Sequence, residues 1–214
     1  MDKLNFYTVD LTYVDLLKSA ETSKRGFTRV PNMDYGEERK PKFLCGIVLN
    51  VGNTDYYVPA TSYKQQKPDN FLICSDNGQV VGSLRFNYMF PVPKELLTER
   101  RIDSESDRAY RSLLAQELQY CRKNQEDILH LAERTYKRVL LGKNPGLVAN
   151  SCDFKLLEEV CSNYISEKSV SHQQASDVYE KKPSVLEKLN KAKQEIAASS
   201  SAAKAKKPHN RDAR

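Results

Sequence analysis

The chain has 214 residues, 39% of them apolar, and a mean hydropathy of -0.66. That fits one medium domain plus a tail, and no apolar run approaches the roughly 18 residues that span a bilayer. The net charge of +6 lies at one end: residues 168–214 hold 11 Lys/Arg and 5 Asp/Glu, whereas residues 1–167 hold 23 of each. The basic pI is therefore no argument that the folded part binds nucleic acid, which needs a local patch.

The first ten residues lack a basic region followed by an apolar stretch, so no secretory signal is read and the cytoplasm is the expected compartment. Residues 5–9 read as a strand and 13–20 as a helix, with Asp10 or Thr12 as its cap. Residues 21–40 are polar and carry Gly26, Pro31 and Gly36. They read as a long loop, and loops of that length are often functional. Residues 43–51 are nearly all apolar, as in a strand buried on both faces. Gly52-Asn53 is a hairpin signal. The return strand starts at Tyr56, and Pro59 marks its end or an edge position. A polar loop covers 61–70. Residues 71–74 and 80–88 form a second hairpin through the turn at 76–78.

Pro91 and Pro93 are expected to end the sheet. One long helix follows over 107–132, with Tyr110, Leu114, Leu118, Cys121, Ile128 and Ala132 on one face. A second runs over 133–141 and stops at Gly142. Asn144-Pro145-Gly146 reads as a turn, and 154–165 as a last amphipathic helix capped by Asp153. Residues 186–198 carry only a thin apolar face, and 199–214 are of low complexity and expected to be disordered. The expectation is an α+β domain over 1–167, an antiparallel sheet flanked by helices, with a polar to basic tail over 168–214.

The motifs that are missing narrow the chemistry. Neither phosphate-binding glycine motif occurs, nor does H-E-x-x-H. The five cysteines include no C-x-x-C pair, which speaks against a zinc site and against a disulfide framework and leaves reduced thiols, mostly in the core. There are three histidines, one in a helix and two in or near the tail, so a His pair for acid–base work is not available. The carboxylates do not cluster as metal-dependent nucleases need. Metal-free chemistry without a cofactor is the expectation.

One stretch stands out. Thr61 and Ser62 follow Pro59-Ala60, and Lys64 comes two residues later, so one loop offers two hydroxyls, backbone N–H groups and a charge to a phosphate. The same residues also serve as ordinary turn chemistry. Antiparallel pairing through Gly52-Asn53 puts Lys42 at the same end of the hairpin as Thr61 and Ser62.

The order of these pieces resembles the ToxN–AbiQ family of type III toxin–antitoxin endoribonucleases. They are F-Y-T (residues 6–8) with Tyr13 following, P-K-F-L-C-G-I-V-L (41–49), Y-V-P (57–59) leading into T-S-Y-K (61–64), G-S-L-R-F-N-Y-M-F-P-V-P (82–93), and Y-R-S-L-L-A-Q-E-L-Q-Y (110–120). The resemblance spans about residues 4–165. It implies a bent antiparallel sheet like the barrel cores of MazF and CcdB. It implies metal-free cutting of single-stranded cellular or phage RNA to 2′,3′-cyclic phosphate ends. A small repeated antitoxin RNA, trimmed by the toxin itself, would restrain the enzyme in a closed protein–RNA ring with an anti-phage role. Tyr13, Lys42, Thr61, Ser62 and Lys64 match family active-site positions, and Tyr120 stands where the family has an aromatic near bound RNA. Tyr63 departs from the proline common at its position.

On that reading the RNA 2′-OH is the nucleophile. Lys42 and Lys64 supply charge, Thr61 and Ser62 donate to the phosphate oxygens, and Tyr13 serves proton transfer or ribose contact. The residues do not name a general base. Tyr88, Tyr110 and Tyr120 are the candidate stacking platforms for unpaired bases. The competing readings are a non-catalytic RNA-binding module, with the loop of Thr61 to Lys64 as a phosphate clamp, and a metal-dependent nuclease that EDTA would silence. The tail either adds phosphate contacts or is a removable extension.

Overall fold

The computed structural model describes residues 3–34, 36, 40 and 42–180, with side chains through residue 169. Residues through Ile165 form one compact unit built around a single sheet. Strand β1 (Asn5–Val9) leads into α1 (Leu11–Arg25), whose first turn is closed by the Asp10 carboxylate accepting from the Tyr13 N–H. The helix outruns the expected 13–20 because Gly26 takes the left-handed conformation that ends it. Strands β2 (Leu44–Val51) and β3 (Thr54–Thr61) pair across the turn at Gly52. β4 (Asn70–Cys74) and β5 (Val80–Arg85) form the second hairpin. β6 (Phe90–Pro91) and β7 (Leu97–Glu99) are short.

The sheet runs β4-β5-β3-β2-β1-β7, with β6 also pairing β3. It is open, with β4 and β7 at its edges, so the closed barrel implied by the resemblance is not formed. Two expectations about prolines are corrected. Pro59 neither ends β3 nor sits at an edge. It lies where β3 passes from pairing with β6 at Tyr56 and Tyr57 to pairing with β5 at Ala60 and Thr61, so its missing N–H breaks no ladder. Pro91 does not end the sheet either, since it pairs with Tyr56 and β7 follows to pair with β1.

The expected helix over 107–132 is two helices, α2 (Arg108–Lys123) and α3 (Gln125–Leu140). The chain turns at Asn124, whose side-chain amide and backbone N–H both donate to the Tyr120 carbonyl. The apolar face is continuous in the sequence, but this local hydrogen bonding sets the break eight residues before the expected one. Asn144 caps a short helix α4 (Pro145–Ala149) where a turn was expected. α5 (Phe154–Glu180) starts at the expected residue and continues past Ile165. Residues 186–198 and 199–214 lie outside the described residues.

α2 packs on β4 and α3 on β2. The core between sheet and helices holds Phe6, Tyr13, Leu17, Leu44, Tyr56, Tyr57, Phe86, Phe90, Leu114, Ile128 and Phe154. Burying each such large side chain contributes about 1.5–3 kcal/mol. Cys45, Cys121, Cys152 and Cys161 are free and buried within it. No helix of the described residues is long and apolar enough to cross a membrane.

Candidate active site

The open end of the β2–β3 hairpin faces a cavity of about 820 Å³. The hairpin register brings its wall together: Leu44 pairs with Pro59, and the Ala60 N–H donates to the Phe43 carbonyl at 3.0 Å. One residue further out on each strand, Lys42 and Thr61 reach the cavity, with Ser62 beside them. Ser62 is exposed, while Thr61 and Lys42 are half-buried.

Local hydrogen bonds fix the loop. The Ser83 hydroxyl donates to the Tyr63 carbonyl at 2.6 Å, and the Tyr63 N–H donates to Thr61 Oγ1 at 3.3 Å. Thr61 Oγ1 lies 3.4 Å from both oxygens of Ser83. The Thr61 hydroxyl is thus held by β5, and the Ser62 hydroxyl at the bend projects beyond it.

Arg85, at the end of β5, lines the same cavity. Its guanidinium carbon lies 4.3 Å from the centre of the Tyr88 ring and 5.0 Å from that of Tyr63. Two aromatic faces thereby aim a delocalised cation. Its Nε is buried and has no partner, the condition of a donor set out for an incoming acceptor. On the opposite side, Tyr110 carries Lys40 over its ring at 4.8 Å and Arg100 at 5.6 Å. Both cations bind Glu105, at 2.9 and 3.2 Å. The ion pair raises the pKa of Lys40 and lowers that of Glu105.

The rim at Thr28 and Arg29 is tied down by Glu21, a fully buried carboxylate. Its Oε2 accepts from the Thr28 hydroxyl and from the N–H groups of Arg29 and Val30, at 2.7, 2.6 and 3.2 Å. Its Oε1 accepts from Arg25 at 2.8 Å and from the Asp153 N–H at 2.6 Å. Residues 28–30 are therefore a fixed part of the rim.

Of the residues expected from sequence, the cavity gathers Lys42, Thr61, Ser62, Tyr88 and Tyr110. It does not gather Tyr13, Lys64 or Tyr120. Tyr13 is buried in the core and donates its hydroxyl to the Pro91 carbonyl at 3.0 Å. Burial pushes that hydroxyl far up from its ordinary value. Lys64 is exposed and does not line the cavity. Tyr120 lies in a separate cleft with Lys67, Phe71, Leu131 and Arg134, its ring 6.0 Å from that of Phe71.

Sequence reading missed Arg85 and Glu117. Arg85 falls inside the mostly apolar strand expected over 80–88, and Glu117 looks like a solvated helix position; only the fold turns both into the cavity. Among the described residues no three His, Cys, Asp or Glu side chains gather as a metal site would need.

Residues 5–162 match a family model described as Toxin ToxN, type III toxin-antitoxin system. The chain is 27% identical over 165 residues to the endoribonuclease ToxN of Pectobacterium atrosepticum, a match covering 73% of this chain and 91% of that one. It is 26% identical over 174 residues to the endoribonuclease AbiQ of Lactococcus lactis subsp. lactis, covering 75% and 89%. Among solved structures it is similar, with TM-score 0.67 and 25% identity, to a chain from a bacterial type III system in which a non-coding RNA pseudoknot selectively inhibits the toxin. That match covers 76% of this chain and 98% of the other. The AbiQ structure, with TM-score 0.65 and 22% identity over 77% and 99%, shares the fold.

Proposed function

Because the chain belongs to the ToxN family of toxins of type III toxin–antitoxin systems, we propose that it is an endoribonuclease whose cutting site is the cavity bordered by Lys42, Thr61 and Ser62. The observation that carries this reading is the meeting of a lysine, two hydroxyls and a stacked arginine along one cavity. The substrate is single-stranded RNA, cellular or phage. Its 2′-oxygen attacks the adjacent phosphate, and the 5′-oxygen leaves, so the products carry 2′,3′-cyclic phosphate and 5′-hydroxyl ends.

The protein's part is to hold the phosphate in line and to stabilise the charge added as the 2′-oxygen bonds to it. Ser62 donates to a non-bridging oxygen, and Lys42 and Arg85 supply charge, Arg85 through its paired N–H groups. These cations stabilise the charge without a metal. Tyr88 and Tyr110 offer faces on which unpaired bases stack. Lys64 and the Tyr120 cleft meet the strand to either side. Tyr13 acts from a distance, by holding Pro91 and so β6. Catalysis belongs to residues 1–167, in keeping with a family match that ends at residue 162.

The natural restraint is a small repeated RNA, cut from its precursor in the same cavity and held with the toxin in a closed ring. The system works in the cytoplasm against phage. To test the reading, the protein and its Ser62→Ala variant are incubated with a long single-stranded RNA in EDTA, and both new ends are mapped. Discrete cuts with cyclic phosphates, absent in the variant, are the expected result. Tight binding by both proteins without cutting overturns it in favour of an RNA-binding module.

A further inference from the structure

The cavity wall holds a second kind of group. Glu117, on α2, is 8% exposed, and among the described residues lining the cavity it is the one carboxyl, with no histidine beside it. Its Oε1 lies 3.6 Å from where a side chain on Gly82 would begin, so it reaches across to β5 just behind Thr61.

The molecule has two buried glutamates near this site, and they differ. Glu21 receives five hydrogen bonds, from Arg25, Thr28, Arg29, Val30 and Asp153. Glu117 has no hydrogen-bond or ion-pair partner among the described residues. A carboxyl set in a cavity wall without a partner among the described residues is placed where a ligand meets it.

We propose that Glu117 accepts the proton from the attacking 2′-hydroxyl, a role that rests on the endoribonuclease reading above. As the 2′-oxygen bonds to phosphorus, its proton passes to a Glu117 oxygen. The bond from phosphorus to the 5′-oxygen breaks, and that oxygen leaves with the bonding pair and takes a proton from water. Glu117 returns its proton to solvent before the next turnover. Among the described residues, the other titratable groups lining the cavity are Lys40, Lys42, Arg29, Arg85, Tyr63, Tyr88 and Tyr110. None of these is a carboxylate or an imidazole, the side chains that most often take a proton in such a step. Behind Glu117, on its own helix, stands Cys121, facing Cys45 on β2, with both thiols buried.

The acidity of Glu117 fits the task. Burial alone pushes its pKa from 4.5 up to about 7. The ionised base therefore forms as pH rises through about 7, where a general base works best.

The experiment measures single-turnover cleavage of a single-stranded RNA in EDTA from acid to mildly alkaline pH. It compares wild type, Glu117→Gln, Glu117→Asp and Ser62→Ala, with RNA affinity and thermal melting recorded for each. The expected wild-type rate rises with pH to a plateau past a break near 7. Glu117→Gln is expected to bind RNA as wild type does, to melt cooperatively, to cut roughly a hundred- to ten-thousandfold more slowly and to lose the break. Glu117→Asp keeps a carboxyl and is expected to keep a break, at a reduced rate.

If Glu117→Gln cuts at the wild-type rate with the same break, the proposal falls and the endoribonuclease stands. A rate that falls through the break assigns Glu117 as an acid and also overturns the proposal. A wild type that binds but never cuts removes the reading beneath it.

Discussion

A β-carbon on Gly82 would lie 2.7 Å from the carbonyl oxygen of Thr61. That is closer than a carbon can approach a backbone oxygen, and neither atom sits on a flexible side chain. Glycine at this place lets β5 come close enough for Ser83 to hold the Thr61–Tyr63 turn. Gly82→Ala is expected to cost about 1–3 kcal/mol, as overpacking does, and to lower RNA cleavage by displacing Thr61. Urea denaturation and a cleavage assay on the same preparation check both halves.

Ser62→Ala and Lys42→Ala should each slow cleavage by roughly a hundred- to a thousandfold, the loss of one transition-state donor, about 2.7–4 kcal/mol. Neither residue lies in the core, so cooperative melting should be retained. A folded, fully toxic Ser62→Ala protein would remove the cavity from the mechanism.

Tyr13→Phe separates position from chemistry. Its hydroxyl bonds a backbone carbonyl inside the core, so its removal should cost about 1 kcal/mol of stability and leave the cleavage rate within a few-fold. A loss of two orders of magnitude at unchanged stability would return Tyr13 to the reacting atoms.

Glu117 has a consequence for stability that runs against its use. Its folded pKa is raised, so the folded state binds the proton more tightly than the unfolded chain does. The destabilisation is absent below about 4.5, grows as pH rises, and is complete above about 7. It amounts to on the order of 3 kcal/mol at full extent. Glu117→Gln should therefore be more stable than wild type above that pH and equal to it in acid, as melting curves across pH will show.

How far the sequence could be read depends on the reach of each signal. The hairpins were legible because Gly52 and Gly78 punctuate them and the strands are apolar. From the first hairpin alone, antiparallel pairing put Lys42 at the same end as Thr61 and Ser62, and all three line one cavity. The break at Asn124 was not legible, because an apolar face carries no mark of where its helix turns. Arg85 and Glu117 escaped for a related reason: each becomes a cavity residue only when β5 and α2, far apart along the chain, meet in the fold. Tyr13 shows the converse. Its place in a family pattern suggested chemistry, and its surroundings are those of the core.

The five-donor clasp on Glu21 also has a meaning in time. A chain leaves the ribosome N-terminus first, so Lys42, Thr61 and Ser62 emerge while Asp153, 132 residues beyond Glu21, is still to come. Until then Glu21 holds only its local donors, Arg25, Thr28, Arg29 and Val30, and the bond that joins them to Asp153 is missing. The clasp is therefore completed only after every described residue of the cavity wall has been made. Chains stopped short of Asp153 are expected to leave the growth of the cell that makes them unchanged, and a series of stop codons on either side of that residue measures it.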